Sequence, residues 1–272
     1  MSTYTKKILS RAKQGRALKD VFILDAHGHM GLWYNFYIPK DGTAKSMIEE
    51  MDYLGINKVC VSAHLSIGPD YKLGNNLISK AIKENPDRFI GYAVVNPNYP
   101  EDVEKELKRC FENLGMKAIK LHASMHNYSV NGANYSPVWE YAKKYNCPVL
   151  SHIKNVEAYA KLCKKYPDVN FILAHAGSIS DTFHLDRLIE IAKKFNNLYL
   201  DLTGSVPYFG IIEKFVKEVG PERVLYGSDI PFIDAAGPLG RVLYAKIKDE
   251  DKEKILGLNM AKLLDINILD TI

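Results

Sequence analysis

The amino-acid sequence predicts an α/β fold of the closed (β/α)8 type, the TIM barrel, as a single domain over residues 1–272. Three observations favour it. Short apolar segments alternate with longer segments of helical periodicity, this alternation occurs eight times, and the chain has a usual length for a one-domain barrel. The apolar segments are rich in Val, Ile, Leu and Tyr and nearly free of charge, which is typical of parallel strands buried on both faces.

The predicted strands and helices follow from this alternation. The strands are residues 21–26, 58–63, 89–95, 116–122, 147–152, 170–175, 198–202 and 223–228. The helical segments are residues 43–54, 75–84, 100–114, 137–145, 156–166, 185–195 and 211–219. Several of these helices are followed by glycine or proline, as at Gly55 and Pro167, and these residues commonly end helices.

An open, doubly wound parallel sheet is the alternative fold. Such a sheet usually carries a glycine-rich phosphate-binding loop after its first strand. Here the first strand runs into Asp-Ala-His-Gly-His at residues 25–29, which is not a loop of that kind. The sequence therefore favours the barrel.

Residues 1–20 are basic and polar and are predicted to form a solvated helical extension of the same domain. They lack the apolar segment of a secretory signal, and a targeting role is the alternative. No apolar run reaches the ~18 residues that cross a membrane. The net charge of +4 is small, and no stripe of Lys and Arg is interleaved with aromatic residues. The predicted partner is a small molecule rather than nucleic acid or a membrane, and a homo-oligomer is left open.

The cysteines Cys60, Cys110, Cys147 and Cys163 form no Cys-x-x-Cys pair. Their spacing matches no cysteine-based zinc site, so they are predicted to be free thiols. Free thiols and the missing secretory signal favour a cytoplasmic protein.

Polar residues able to bind ligands stand at or just after the ends of most predicted strands. The positions are His27, His29, His64, Lys120, His122, Ser151, His152, His175, Ser228 and Asp229. The carboxyl ends of all strands of a barrel meet at one face, where active sites are built, so these side chains are expected to converge. A single histidine closing a strand is more often structural, but several strands ending in this way predict a site.

The pair His27 and His29 is the first part of a predicted metal site. Residues at i and i+2 of a strand point the same way, so two imidazoles could share one ion while Gly28 lets neighbours approach. Imidazole suits zinc, iron and nickel, and a catalytic zinc keeps about three protein ligands. His152 could supply a further nitrogen. Asp229 could supply an oxygen to the metal or accept the proton of metal-bound water.

His175 lies one strand beyond His152 and is predicted to act as a general acid or base, or to hold a developing oxyanion. The alternative is a hydrogen bond that orients a neighbouring side chain. The predicted cofactor is one divalent metal ion, with zinc preferred.

The sequence resembles the amidohydrolase superfamily, in the branch called amidohydrolase family 2, from about residue 21 to residue 264. The segments that carry the resemblance are 24–29 (LDAHGH), 118–122 (AIKLH), 148–152 (PVLSH), 172–177 (ILAHAG), 224–232 (VLYGSDIPF) and 255–264 (ILGLNMAKLL). The resemblance implies a metal ion on His27, His29, His152 and Asp229. It also implies that His175 is catalytic or a ligand of a second metal.

Further candidates concern the substrate. Other branches of the superfamily carry a carbamylated lysine at the position of Lys120, bridging two metals, which would allow a second ion here. Lys120 and His122 share a strand face and are predicted instead to meet an anionic substrate. Arg241 is a second candidate for holding a carboxylate, with exposure to solvent as its alternative. Aromatic loops at 30–43 (including Trp33), 127–134 and 205–209 predict a lid over a partly apolar pocket, or else packing between loops or subunits.

The sequence is compatible with three functions. The first is hydrolysis of a C–N or C–O bond in a small carbonyl compound by metal-activated water, with Asp229 or His175 moving protons. The second is metal-dependent, non-oxidative decarboxylation of a small carboxylic acid, aromatic or related, in which His175 protonates the carbon after CO₂ leaves. The third is a metal-binding scaffold without catalysis. The sequence favours the hydrolase.

Overall fold

A computed structural model describes residues 7–35, 37–38, 41–152, 155–176, 185–204 and 208–268. Within these ranges eight parallel strands lie side by side in chain order. They are β1 (Leu24–Met30), β2 (Lys58–Ala63), β3 (Phe89–Val94), β4 (Ala118–Leu121), β5 (Val149–His152), β6 (Phe171–Ala174), β7 (Leu198–Asp201) and β8 (Val224–Leu225). This order and the helices between the strands confirm the predicted (β/α)8 barrel.

The helices occupy the predicted segments and add several short elements. They are α1 (Lys7–Ala12), α2 (Ala44–Leu54), α3 (His64–Ile67), α4 (Tyr71–Glu84), α5 (Pro100–Glu112), α6 (Ser136–Lys144), α7 (Val156–Lys165), α8 (Leu185–Lys194), α9 (Ile211–Glu218), α10 (Ala236–Tyr244), α11 (Asp249–Glu253) and α12 (Asn259–Leu263), with a π-helical segment Lys254–Leu258 between the last two. Local chemistry sets their ends. Thr43 caps α2 by accepting a hydrogen bond from Ser46 N, and Gly55 ends that helix at φ 78°.

Most strands differ from the prediction by one to three residues in total, and β1 and β8 differ most. β1 continues to Met30, so that His27 and His29 lie inside the strand rather than after it. The apolar pattern stops at the first histidine, yet every residue of this strand is buried and the chain goes on pairing with β2. β8 is only two residues long, and the backbone beyond Leu225 makes hydrogen bonds to β1.

The barrel interior is filled by side chains from strands all around the barrel. This interior cluster includes Leu24, Tyr92, Leu150 and Ile172, together with Met260 of α12. A larger apolar cluster lies between the outer faces of the strands and the surrounding helices. The amino-terminal end is therefore packed with apolar residues, and the polar side chains are left to the opposite end.

Backbone hydrogen bonds beyond β8 close the barrel onto β1. Asp229 N donates to His27 O at 2.8 Å, and His29 N donates to Ile230 O at 2.7 Å. Gly28 and Ile230 form a parallel bridge at the same place. The seam between the first and last strands therefore runs through the two histidines and the aspartate predicted to bind metal.

Within the described residues, the amino-terminal extension is less helical and more buried than predicted. The described part is helical only over α1, and Ile8 and Leu18 are buried in the core rather than solvated. Ile8 N donates to Asp249 Oδ2 at 3.0 Å. All four cysteines are free, as predicted, and all four are buried. Among the described helices, none combines the length and apolar character needed to cross a membrane.

Candidate metal centre

His27 and His29 project from β1 into the carboxyl-terminal mouth of the barrel. The strand register shifts between Asp25 and Gly28, and the two imidazoles come together with their Nε2 atoms 3.3 Å apart. Each ring is held from its other side. His27 Nδ1 lies 2.7 Å from Asp201 Oδ2, and His29 Nδ1 lies 3.0 Å from Ser62 Oγ. With both Nδ1 atoms occupied, both Nε2 atoms face the centre of the mouth.

His152 and Asp229 complete a four-residue group. The ligand atoms of His27, His29 and His152 lie within 4.8 Å of one another. Asp229 Oδ1 lies 3.4 Å from His29 Nε2 and 3.7 Å from His27 Nε2. Asp229 adopts a left-handed backbone at φ 71°, a strained conformation for a residue other than glycine. The structure thus brings together the four predicted ligands from β1, β5 and the segment after β8.

The chemistry of this group fits a divalent cation. Burial, followed by the charge of Lys120, holds the pKa of His27, His29 and His152 well below the usual value, so the rings are neutral with a lone pair available. Three neutral imidazoles and one carboxylate form a donor set that zinc, manganese and related ions accept.

Asp201, at the end of β7, holds His27 and was not recognised from the sequence. The carboxylate is fully buried, and Oδ1 accepts hydrogen bonds from Thr203 N at 3.0 Å and Thr203 Oγ1 at 2.7 Å, while Oδ2 faces His27 Nδ1. Gly227 leaves room for the arrangement, because a Cβ there would overlap Asp201 Oδ1 and Thr203 Oγ1 and lie 2.9 Å from the Cβ of His27. A carboxylate inside an apolar strand is the pattern that could have revealed this residue.

Asp25 is a second buried carboxylate that sequence reasoning missed. It accepts hydrogen bonds from His27 N at 2.9 Å and Ser228 N at 3.1 Å, and the Ser228 hydroxyl also donates to it. Burial raises the pKa of Asp25 to about 8, while the hydrogen bonds from Ser228 and His27 lower it. Asp25 therefore ties the start of the seam to the segment that carries Asp229.

Lys120 projects from β4 into the middle of this group. Its side chain is fully buried, and Nζ lies 2.6 Å from His27 Nε2. Burial lowers the pKa of Lys120 to about 7, opposed by the charges of Asp229 and Asp201. Burial likewise raises the pKa of Asp229 to about 7, opposed by Lys120. The lysine is thus a weakly basic amine inside the site.

His175 and His122 lie against His152. His175 Nε2 is 3.3 Å from His152 Nε2, and His175 has a left-handed backbone at φ 60°. Burial lowers its pKa to about 4, which nearby Asp201 opposes. The ring of His122 lies 3.8 Å from that of His152, centroid to centroid, and its Nδ1 accepts from Ser124 Oγ at 3.1 Å. Both residues therefore lie at the edge of the four-residue group.

The remaining predicted residues lie farther out. Trp33 is half-buried, and its ring centroid is 5.5 Å from that of His64, which stacks on His29 at 4.9 Å. Arg241, on α10, donates from Nη1 to Leu202 O at 3.0 Å just beyond β7. It reaches the carboxyl-terminal end of the strands but makes no described contact with the metal ligands.

The aromatic loops are described only in part. Tyr34, Tyr37 and Phe209 are exposed at 72%, 83% and 100%, so these three rings are largely open to solvent. Residues 36, 39–40 and 205–207 of these loops lie outside the described residues, and the lid stays a prediction.

The chain belongs to the amidohydrolase family, because the family model for amidohydrolases matches residues 25–266. This confirms the resemblance drawn from the sequence. Among curated proteins, the γ-resorcylate decarboxylase of Polaromonas sp. (strain JS666 / ATCC BAA-500) is 24% identical, with 71% of this chain and 75% of that protein covered.

Solved structures share the fold. A 2,6-dihydroxybenzoate decarboxylase complexed with 2,6-dihydroxybenzoate has a TM-score of 0.72 at 17% identity, covering 92% of this chain and 99% of that chain. A dihydroxybenzoic acid decarboxylase from Polaromonas sp. JS666, with manganese and the inhibitor 2-nitroresorcinol, has a TM-score of 0.69 at 18% identity, covering 90% and 97%. The hydrolase prediction is therefore wrong, since these relatives and neighbours are decarboxylases rather than hydrolases.

Proposed function

We propose that this chain is a metal-dependent, non-oxidative decarboxylase of a small aromatic carboxylic acid. The observation that carries the proposal is the convergence of His27, His29, His152 and Asp229 around a buried lysine at the barrel mouth. The decarboxylase relative and the fold shared with dihydroxybenzoate decarboxylases support the reaction class.

The proposed ligands are the three histidines and Asp229, holding one divalent ion. When bound, such an ion supplies positive charge that attracts and orients the oxygen atoms of an acidic substrate. Zinc is the ion predicted from the donor set, and manganese is present in the similar Polaromonas enzyme. Loading the metal-free protein with each ion in turn and measuring bound metal and activity decides between them.

Lys120 is proposed to hold the substrate carboxylate. Its Nζ is fully buried within the ligand group, where a positive charge has few competing water molecules and attracts an anion strongly. A substrate anion beside it would in turn favour the protonated amine. The alternative, a carbamylated Lys120 bridging two ions, predicts two metal ions per chain and a lysine heavier by the mass of CO₂.

His175 is proposed to deliver the proton. As the bond from the ring carbon to the carboxyl carbon breaks, its electron pair stays on the ring carbon and CO₂ leaves. His175 then donates a proton to that carbon and is reprotonated from water. Burial keeps this histidine mostly neutral, and the charge of a bound carboxylate would raise its pKa toward the working range.

The proposal is tested by incubating the metal-loaded protein with 2,6-dihydroxybenzoate and related hydroxybenzoates while following CO₂ and the decarboxylated product. In deuterated water the product should carry one deuterium at the former carboxyl position. His175→Asn, chosen because asparagine tolerates the left-handed backbone, should lose 10²- to 10⁴-fold in rate and keep its metal. Asp229→Asn should instead lose metal. No CO₂ from any aromatic acid with either ion would overturn the proposal.

A further inference from the structure

A cavity of about 360 Å³ opens between the loops that follow β4 and β5. Its floor is apolar, formed by the small buried side chains of Ala123, Val130 and Ala158. A dry cavity of about 150 Å³ is enough to bind benzene, so this one has room for a single substituted ring. Its volume lies at the small end of the range for ligand pockets.

His152 connects this cavity to the metal centre. The same imidazole lines the cavity and contributes its ligand atom to the group with His27 and His29. A molecule in the cavity would therefore have one edge beside the proposed metal ligands. This is the position required of a ring whose carboxylate reaches the centre of the mouth.

The cavity wall is held in place by its own loop. Tyr128 OH accepts a hydrogen bond from Asn134 N at 3.0 Å, and the Tyr128 ring meets Tyr135 edge-on at 5.5 Å. Gly132 makes this possible, since a Cβ there would overlap the Tyr128 ring. Asn134 Nδ2 is fixed in turn on Pro97 O at 2.8 Å. Because these contacts already fix the loop, little conformational entropy would be lost there when a ligand binds, which favours affinity.

The rim of the cavity is polar. Asn127, Ser129 and Asn155 line it, and all three are exposed to solvent. Asn127 has a left-handed backbone at φ 47°, which asparagine and glycine adopt more readily than other residues. Within the described residues its side-chain amide makes no hydrogen bond. Ser129 Oγ is already engaged with Asn131 Oδ1 at 2.6 Å, and Asn155 Oδ1 caps α7.

We infer that this cavity receives the ring of the substrate, and that Asn127 selects acids carrying a hydrogen-bonding ring substituent such as a hydroxyl group. The inference rests on the proposed function for the position of the carboxylate. The apolar floor matches the face of one aromatic ring, and the Asn127 amide can both donate to and accept from a hydroxyl group. The ligand class is therefore a single-ring, hydroxylated aromatic carboxylate.

The cavity is tested first by filling it. Ala158→Leu places three further carbons on the floor, and leucine forms helices nearly as well as alanine. Lys161→Leu, on the exposed side of the same helix, is the matched control. Titration of the metal-loaded full-length proteins with 2,6-dihydroxybenzoate by calorimetry should show at least tenfold weaker binding for Ala158→Leu and no change for Lys161→Leu. Metal content and thermal unfolding of each variant verify that it is folded and loaded.

The role of Asn127 is tested with Asn127→Gly, which removes the amide while tolerating the left-handed backbone. The wild-type protein should bind 2,6-dihydroxybenzoate more tightly than benzoate. In the variant this preference should fall about threefold to tenfold, the effect of one lost hydrogen bond. An unchanged preference would overturn the role of Asn127.

The two proposals fail in different ways. Unchanged binding in Ala158→Leu would overturn the ring site, even if the protein releases CO₂ from the same acid. Weaker binding in Ala158→Leu without CO₂ release by the wild-type protein would uphold the cavity and overturn the decarboxylase proposal.

Discussion

Replacing Asp201 with asparagine should weaken metal binding although Asp201 does not itself contact the proposed ion. Both carboxylate oxygens of Asp201 face hydrogen-bond donors, since Oδ1 accepts from Thr203 N and Thr203 Oγ1 and Oδ2 faces His27 Nδ1. Asparagine offers one oxygen and one NH₂ group. The backbone N–H of Thr203 cannot turn away, so the amide oxygen should point to Thr203 and the NH₂ group to His27.

This exchange reverses the hydrogen-bond requirement at His27. An NH₂ group facing Nδ1 needs an acceptor there, which moves the imidazole proton to Nε2, the atom proposed to bind metal. Loss of such a supporting partner usually costs 10- to 100-fold in metal affinity, or about 1.4 to 2.7 kcal/mol. Burial raises the pKa of Asp201, while the hydrogen bonds from Thr203 and the charges of His175 and Lys120 lower it, so these neighbours help to keep it an acceptor.

The assay is calorimetric titration of the metal-free protein with Mn²⁺ and Zn²⁺, combined with ¹⁵N NMR of the His27 ring to identify its tautomer. Asp186→Asn is the matched control, because Asp186 is exposed and pairs only with Lys214 among the described residues. Thr203→Val, which removes one of the three donors, should give a smaller loss. Wild-type affinity within twofold in Asp201→Asn, or an unchanged tautomer at His27, would refute the reasoning.

Three further predictions use other parts of the structure. Gly227→Ala should disrupt the hydrogen bonds of Asp201 and weaken metal binding at least tenfold. Gly237→Ala, whose added Cβ would meet open space, is the control and should bind metal normally without loss of stability. Equal metal affinity in the two variants would contradict this prediction. Lys120→Met should raise KM for the acid at least tenfold and leave one metal ion bound per chain. Steady-state kinetics and metal analysis measure both, and an unchanged KM would contradict the proposed role of Lys120. Burial lowers the pKa of His126 to about 4, so the unfolded chain takes up its proton first, near pH 6.5, and stability is lost as the pH falls from there toward 4. Between pH 7.5 and pH 5, the free energy of unfolding measured with urea should therefore fall by about 2 kcal/mol less in His126→Leu than in the wild-type protein. Equal decreases in the two proteins would contradict this explanation.

The barrel was predictable because strands buried on both faces are apolar along most of their length, as β6 is over Phe171–Ala174. The same criterion placed the end of the first strand at residue 26, whereas β1 continues to Met30. His27 and His29 are polar yet fully enclosed, and an apolar pattern cannot distinguish a polar residue inside a strand from one after it. Strand ends were still located well enough to place His152 and Asp229 at one face.

Asp25 and Asp201 were missed for a related physical reason. Each lies in a predicted apolar strand, and its function is to hold a histidine or a backbone segment that comes from a distant part of the sequence. Such pairings depend on strand register across the barrel, which spacing along the chain does not give. The reaction was also assigned wrongly, since the ligand set is compatible with more than one chemistry and pocket shape is fixed by loops.

The seam of the barrel has a consequence for how the polypeptide holds together. His29 and Asp229 belong to opposite ends of the chain, and their backbones join the first strand to the last through only a few hydrogen bonds. A cation bound by both side chains would cross-link the first strand and the segment after the last strand, and this cross-link would enclose most of the chain. An ion that binds only the folded chain stabilises the fold. The free energy needed to separate the first and last strands would therefore rise as the metal site is filled. Amide exchange at Ile230 and Asp229 should then slow on metal loading more than exchange between β4 and β5.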